Sequence, residues 1–272
     1  MSAVALPDTK TLLLRAHGPV LHVTLHRPDK RNAMSLAMVD ELEAALDHVE
    51  AAGTRIVVFR GSNGNFCSGG DISDMAAASA QPVSGVDPIA TMNRRFGDLL
   101  QRVDACPAAV IAVCEGAVMG GGFGLACVAD VTLAVEGARF RLPETSLGLP
   151  PAQIAPYVVQ RLGYAQGRRL AVTGQTLDAA EAHRLHLAHE HVAPDGLDAA
   201  LDAIITAIGR CEPGALSATK ALVRRVGASD LSGVLDDAAA EFAGFARSDT
   251  ARAGFAAFLQ RKRAPWDLRE DG

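Results

Sequence analysis

Two short segments rich in apolar residues lie near the start of the chain, and apolar residues then recur at helical spacing. These segments predict strands at 11–14 and 20–25, on either side of a turn at 17–19 that contains glycine and proline. From Ser35, a candidate N-cap, apolar residues at 38, 42, 45, 46 and 49 follow the period of a helix. The chain therefore begins with a strand–strand–helix unit.

The same order of elements recurs further along the chain. Uninterrupted apolar runs predict buried strands at 56–59 and 109–113. Residues 73–88 are rich in alanine, serine and glycine without a strong period, so we predict a mobile surface loop there. The remaining predicted elements are helices at 89–103 and 121–129, strands at 131–135 and 139–142, and helices at 153–161, 165–172, 178–185, 195–210, 214–226 and 231–259, the last broken near 247–249. Such repeats stack and bury a common core.

Composition narrows the class of protein. The 272 residues are 49% hydrophobic, which suits a packed core. The net charge of −5 argues against a nucleic-acid-binding protein, because such proteins usually carry an excess of basic residues. The five cysteines match no zinc spacing and cannot all pair within one chain, so we expect reduced thiols. With no recognisable secretory signal and no apolar run of membrane-spanning length, we predict a cytoplasmic protein without a membrane partner.

Two glycine-bearing loops, at 66–72 and 116–122, each follow an apolar run. Glycine allows close backbone approach and positive φ, so a strand–loop–helix unit can aim bare N–H groups at an acceptor. Two such loops can supply two donors to one oxygen, which is the outline of an oxyanion hole. An enzyme is therefore the leading interpretation.

The motifs at 27–34, 66–72, 116–122, 129–130 and 143–144 occur in the order found in the crotonase, or enoyl-CoA hydratase/isomerase, superfamily, which the chain resembles from about residue 12 to 266. The resemblance implies an α/β fold, a spiral of ββα repeats over 1–200 that carries the acyl-CoA site. It implies a helical C-terminal trimerisation region over 201–272, and a homo-trimer or a hexamer built as a dimer of trimers. It implies no cofactor besides the coenzyme A of the substrate, and no metal.

The resemblance also implies roles for individual residues. The backbone N–H groups of Ser68 and Gly121 are expected to bind the thioester oxygen, and the loops add Gly69, Gly70, Asp71, Ile72 and Gly120 to the substrate site. Arg27 and Lys30 are expected at the nucleotide end of coenzyme A, where cations suit phosphates. Phe258 and Arg261 resemble the family's C-terminal aromatic and basic residues, which can contact coenzyme A, in some members from a neighbouring subunit.

The catalytic carboxylates depart from the better-known hydratases, which hold water between two glutamates. Glu144 occupies the second position, but Gly124 stands at the first. One carboxylate can serve as base and then acid in a syn hydration, or can shuttle a proton between Cα and Cγ in double-bond isomerisation. Residues 141–159 resemble bacterial hydratases of branched glutaconyl-CoA thioesters, which favours hydration. A catalytically silent acyl-CoA-binding protein is the alternative from another class.

Two further features are candidates by residue type alone. His183, His186, His189 and His191 suggest a metal cluster by number, but the helix end, turn and strand predicted there should make their side chains diverge. Cys67 adjoins the first glycine loop without a paired base in sequence, so a nucleophilic role is not expected.

Overall fold

The first strand–strand–helix unit forms as the apolar segments of the sequence predict. The computed structural model describes residues 4–81, 85–226 and 230–269. Strands β1 (Leu12–His17) and β2 (Val20–Leu25) pair antiparallel. Helix α1 (Leu36–Ala52) begins where the Ser35 side chain accepts a hydrogen bond from the Met38 N–H, and it ends at a left-handed Gly53.

The strands form two sheets. The other strands are β3 (Ile56–Gly61), β4 (Ala109–Cys114), β5 (Ala117–Met119), β6 (Val131–Val135), β7 (Arg139–Arg141), β8 (Leu177–Asp178) and β9 (Glu190–Val192). The larger sheet has the order β1-β2-β3-β4-β6-β9 and the smaller one the order β5-β7-β8. β2 is parallel to β3, and β6 is parallel to both β4 and β9. The sequence pattern did not predict β5 or β8, since two or three residues are too few to show a period.

The helices follow most of the predicted segments. They are α2 (Ile72–Ser79), α3 (Pro88–Ala105), α4 (Gly121–Val128), α5 (Ala155–Thr173), α6 (Ala179–Arg184), α7 (Leu197–Gly209), α8 (Pro213–Val226), α9 (Leu231–Ala246) and α10 (Asp249–Leu259). The segments predicted at 153–161 and 165–172 are the two parts of α5, which a non-helical Gly163 separates at φ 72°. The predicted break near 247–249 is confirmed, because Ser248 caps the start of α10.

The prediction of a mobile loop at 73–88 is wrong at its two ends, since residues 73–79 and residue 88 are helical. α2 occupies its first part, and α3 begins at its end, where the Asp87 side chain caps the helix. The Asp71 carboxylate accepts a hydrogen bond from the Ser73 N–H and so starts α2. Alanine favours helix without creating an apolar–polar period, so periodicity could not reveal this helix. Residues 82–84 of the predicted loop lie outside the described residues.

Helix α4 is fixed on the smaller sheet and at its C-terminal end. Phe123 packs edge-on against Phe140 of β7, with ring centroids 6.3 Å apart. The Arg161 guanidinium donates to the Cys127 carbonyl through both Nε and Nη2, at 3.0 and 2.7 Å. A cation at the C-terminal carbonyls complements the helix dipole. These contacts hold α4 in place, and with it the glycine-rich residues at its start.

The chain forms two units. The first contains the described residues up to Leu197 except 107–109, which group with the second unit from Asp198 onwards. Within the second unit, the Trp266 indole N–H donates to the Arg210 carbonyl at 3.0 Å, and the Lys220 ammonium donates to the Ala108 carbonyl at 2.7 Å. Across both units, no helix of the described residues is long and apolar enough to span a bilayer.

Candidate active site

The two glycine loops lie side by side. The Cys67 N–H donates to the Ala117 carbonyl at 2.8 Å, and the Met119 N–H donates to the Cys67 carbonyl at 2.9 Å. A Cβ atom on Gly122 would lie 2.6 Å from the Cys67 Cβ, so only glycine allows this approach. Both loops line a cavity of about 220 Å3 in the first unit. Eight of the predicted site residues line it: Ser68, Gly69, Gly70, Asp71, Ile72, Gly120, Gly121 and Glu144.

The Ser68 amide is not free to bind a ligand. Its N–H donates to the Arg31 carbonyl at 3.0 Å, and its hydroxyl donates to the Lys30 carbonyl at 3.0 Å. The prediction that the Ser68 N–H is one of the two oxyanion donors is therefore wrong. Ser68 instead ties the first glycine loop to the segment that precedes α1.

The Gly70 amide, unlike that of Ser68, has no protein acceptor among the described residues. The Met34 N–H donates to the Gly69 carbonyl at 2.8 Å, and the Asp71 N–H donates to the Met34 carbonyl at 2.9 Å. In such a parallel bridge, the N–H of the middle residue, Gly70, faces away from Met34. The second loop packs against the first at the preceding residue, where a Cβ on Gly69 would lie 3.6 Å from the Met119 oxygen.

Gly121 supplies the second amide. It is the first residue of α4, where an N–H has no acceptor within the helix and the positive end of the dipole favours negative charge. The Phe96 ring of α3 covers this position, because a Cβ on Gly121 would lie 3.1 Å from the ring. In the part of the chain that the structure describes, neither the Gly70 N–H nor the Gly121 N–H donates to a protein acceptor. Two bare amides therefore face the cavity from adjacent loops.

Glu144 reaches the cavity beside the second loop. It begins a short 3-10 turn, Glu144–Leu147, directly after Pro143. A Cβ on Gly120 would lie 2.8 Å from the Glu144 Oε1, so glycine makes room for the carboxylate. Oε2 is buried and has no hydrogen-bond partner among the described residues. Burial raises the pKa of Glu144 more than the hydrogen bond from its own backbone lowers it.

The other two acids of the cavity wall are already engaged. The Asp71 carboxylate pairs with the Arg27 guanidinium at 2.7 Å, and Asp74 accepts from the Leu36 N–H at 2.8 Å. Burial would raise the pKa of Asp71, but hydrogen bonds from Arg27 and Ser73 and the charge of Arg27 lower it. Of the carboxylates that line the cavity, Glu144 is thus the one suited to exchange protons.

Gly124 lies behind an apolar wall. It is buried in α4, and a Cβ there would lie 3.2 Å from the Leu100 Cδ1 and 3.4 Å from the Ile154 side chain. Side chains of Leu100 and Ile154 therefore fill the space that a second glutamate would need. This packing gives a physical basis for the presence of glycine, in place of the first glutamate of the better-known hydratases, at position 124.

The predicted coenzyme A residues of the N-terminal segment differ in availability. Arg27 is committed within the protein, because its guanidinium pairs with Asp71 and donates to the Ala33 carbonyl at 2.6 Å. This arrangement favours a positioning role over phosphate binding. Lys30 is exposed, and its contact with coenzyme A stays a prediction.

Phe258 and Arg261 belong to the second unit. Phe258 is 81% exposed at the end of α10, and the Arg261 N–H donates to the Phe258 carbonyl at 3.0 Å. The contacts described for these two residues do not test whether they bind coenzyme A. Their role stays a prediction.

The remaining candidates by residue type are Cys67 and the histidines, and their surroundings bear on the roles considered for them. Burial raises the pKa of the Cys67 thiol to about 11, which disfavours the thiolate that a nucleophile needs. The His189 Nδ1 accepts from the Thr132 N–H at 2.9 Å, and its Nε2 lies 3.0 Å from the Arg161 guanidinium. In residues 4–81, 85–226 and 230–269, no group of three or more His, Cys, Asp or Glu side chains is arranged to hold a metal ion.

Comparison with known proteins decides the family. The sequence profile described as enoyl-CoA hydratase/isomerase matches residues 15–269. This chain belongs to the enoyl-CoA hydratase/isomerase family. A probable enoyl-CoA hydratase of Rhizobium meliloti is 32% identical over 96% of this chain and 99% of that protein. The predicted crotonase family is thereby confirmed.

Solved structures of the family confirm the predicted α/β fold with its helical C-terminal region. An enoyl-CoA hydratase/isomerase from Marinobacter aquaeolei is 46% identical and superposes with a TM-score of 0.92, covering 94% of this chain and 99% of that one. Pseudomonas aeruginosa AtuE is 48% identical with a TM-score of 0.91, covering 95% of this chain and all of that one (100%).

Proposed function

We propose that this family member is an enoyl-CoA hydratase, which adds water across the 2,3 double bond of an enoyl-CoA thioester. The observation that carries the proposal is the pair of bare amides, at Gly70 and Gly121, beside the half-buried carboxylate of Glu144, whose Oε2 has no hydrogen-bond partner among the described residues. All three residues line the same cavity. The hydratases among its relatives support the same reaction.

The reaction follows from this arrangement. Glu144 accepts a proton from water as the water oxygen attacks Cβ, and the thioester oxygen becomes enolate-like. The Gly70 and Gly121 N–H groups stabilise that oxygen, and loss of one such donor typically raises a barrier by about 2.7–4 kcal/mol. Glu144 then returns the proton to Cα, so that one molecule of water is added and the base is regenerated.

Double-bond isomerisation is the second candidate, and the surroundings of Gly124 favour it. With Leu100 and Ile154 in the place of a second glutamate, one carboxylate acts alone. Glu144 would then remove a proton from Cα of a 3-enoyl-CoA and return it at Cγ. The same two amides would stabilise the intervening enolate.

The deciding experiment follows the absorbance of the conjugated thioester. We expect crotonyl-CoA to lose this absorbance and to yield 3-hydroxybutyryl-CoA by mass spectrometry, with a loss of at least 100-fold in kcat in Glu144→Gln. A 3-enoyl-CoA that gains the absorbance without added water identifies an isomerase. Binding of acyl-CoA without turnover of either thioester identifies the silent binding protein.

The proposal also covers the coenzyme A contacts, the oligomeric state and the cellular location of the protein. We infer that the substrate's coenzyme A is the one coenzyme involved, and that Lys30, Phe258 and Arg261 contact it. The second unit would join copies of the chain into a trimer, or a hexamer of two trimers, and the protein would act in the cytoplasm.

A further inference from the structure

Three methionine side chains of the described residues line the cavity: Met34, Met75 and Met92. Two of them lie beside the glycines that supply the bare amides. The Met34 Sδ lies 3.7 Å from the position of a Cβ on Gly121, and the Met75 Cε lies 3.7 Å from that of a Cβ on Gly70. Each proposed oxyanion donor therefore has a thioether as its neighbour. The proposed hydration uses neither sulfur atom.

Met34 connects the two glycine loops. Its backbone forms the bridge to Gly70, while its side chain lies at Gly121. Met34 is 6% exposed, and Met75, which belongs to α2, is half-buried. Because both side chains line the cavity, a reagent small enough to enter it reaches their sulfur atoms.

A peroxide is such a reagent, and a thioether reacts with it without first losing a proton. The sulfur lone pair attacks a peroxide oxygen, and an S–O bond forms as the O–O bond breaks. The proton of the transferred oxygen passes to the leaving oxygen, so hydrogen peroxide is reduced to water and the sulfur is oxidised to a sulfoxide.

The buried thiols nearby are less reactive than these thioethers. Thiols react with peroxides as thiolates, and burial raises the pKa of Cys67 to about 11 and that of Cys127 to about 12. At neutral pH, peroxide therefore oxidises the two methionines before these two cysteines.

Oxidation changes what the methionine side chains offer to the amides. A thioether sulfur is a weak hydrogen-bond acceptor, whereas a sulfoxide is polar and its oxygen accepts hydrogen bonds. The Gly70 and Gly121 N–H groups have no protein acceptor among the described residues. A sulfoxide oxygen beside either glycine would accept the N–H that the thioester oxygen needs.

We propose that Met34 and Met75 form a modification site at which peroxides block the oxyanion hole. Oxidation of either thioether places a sulfoxide oxygen at the adjacent amide and excludes the thioester oxygen from it. Reduction of methionine sulfoxide restores the thioether, so the modification is reversible. This inference rests on the proposed acyl-CoA function and assigns a regulation to the same site.

Inactivation by hydrogen peroxide tests the inference. All proteins carry Cys211→Ser, which removes an exposed thiol. After catalase has removed the peroxide, crotonyl-CoA hydration gives the residual kcat relative to each protein's own value before treatment, and peptide mass spectrometry locates the added oxygen atoms. We expect oxygen at Met34 or Met75 and a loss of about 100-fold in kcat, which is the effect of losing one oxyanion donor.

Leucine variants separate these two methionines from general oxidative damage. The double variant Met34→Leu, Met75→Leu should keep its own activity under a treatment that inactivates the Cys211→Ser protein. Met92→Leu removes a methionine of the same cavity that is not among the nearest neighbours of Gly70 or Gly121, so this control should be inactivated as fast as the Cys211→Ser protein.

Met75→Gln tests the block without peroxide. Glutamine is similar to methionine in length and carries an oxygen acceptor near its end, so kcat should fall about 10-fold or more relative to Met75→Leu, with an unchanged circular dichroism spectrum. Equal kcat in these two variants overturns the inference.

Three results of the peroxide experiment also overturn it. These are equal inactivation with and without the two leucines, full activity after oxidation of both methionines, and no oxygen added at either one. A Cys211→Ser protein that turns over neither crotonyl-CoA nor a 3-enoyl-CoA before treatment instead overturns the proposed function.

Discussion

Glu144 carries the acid–base chemistry of the proposed reaction, and its surroundings set the pH at which it works. Its Oε2 is buried and has no hydrogen-bond partner in the described part of the chain, and burial raises the pKa of Glu144 above the ordinary value of 4.5. A base nearer to neutrality transfers protons more effectively in both directions, which suits a residue that first accepts and then returns a proton.

The pH dependence of kcat/KM tests this assignment. Because the base must be ionised, activity should fall as the pH decreases through the raised pKa of Glu144, with a midpoint above 4.5. Initial rates with crotonyl-CoA between pH 4 and 8, at constant ionic strength, give the midpoint. An acid limb at or below 4.5, in protein shown by circular dichroism to stay folded, contradicts the assignment.

Gly124 permits a second test at a single residue. Gly124→Glu forces a side chain against Leu100 and Ile154, and overpacking of this kind costs about 1–3 kcal/mol, to which burial of a carboxylate adds. We expect a lower free energy of unfolding in urea and no gain in hydration rate. Gly124→Ala, which adds only the Cβ, should lose less. A stable Gly124→Glu protein with faster hydration would show that the acid can reach the cavity.

At this scale, the sequence predicted several residues that line the cavity, but it could not determine which amide of the first glycine loop is free of a protein acceptor. Glu144 and Gly121 could be named because the resemblance to the crotonase family assigns a role to each position. The Gly70 amide could not be chosen over that of Ser68, because the choice depends on the bridge between Met34 and Gly70. These residues are far apart in sequence, and a shift of one residue in register reverses which amide faces the cavity.

Among the elements, α2 shows where the sequence pattern was insufficient. Its N-cap, Asp71, also pairs with Arg27, so one carboxylate both starts the helix and links it to the segment before α1. Ile72 and Met75 of this helix line the cavity. Helix α1 could be predicted because one-sided burial imposes a period on it, and the central strands because burial makes them continuous apolar runs. A short alanine-rich helix instead carries its signal in a single capping residue.

Substitution of Asp71 tests how much α2 depends on its cap. Asp71→Ala removes both the cap and the ion pair, while Asp71→Ser keeps an acceptor for the Ser73 N–H. Loss of an N-cap costs about 0.5–2 kcal/mol, so the alanine variant should unfold at lower urea concentration than the serine variant. Equal midpoints for the two variants would show that the ion pair, and not the cap, stabilises this end of α2.

At the scale of the whole molecule, the second unit exposes large apolar side chains. Phe242, Phe255 and Phe258 are 74%, 61% and 81% exposed, respectively. Exposed aromatic residues on neighbouring helices are typical of surfaces that associate. The order of elements could predict this helical region, but the geometry of an association between copies depends on surfaces that no local pattern encodes.

Light scattering after size-exclusion chromatography tests the association. We expect a mass about three or six times the 28.3 kDa of one chain, and a smaller mass for Phe258→Glu, since a charge disfavours burial of that surface. A mass of one chain at micromolar concentration would contradict the predicted trimer or hexamer.

The close approach of Gly120 to Glu144 limits how this pocket can be redesigned. Position 120 combines a φ of 50° with a Cβ direction that ends 2.8 Å from the Glu144 Oε1. A mutant library aimed at new acyl groups should therefore keep that codon constant. The walls formed by Met92, Leu147 and Leu149 offer positions where variation leaves the two amides and the acid untouched.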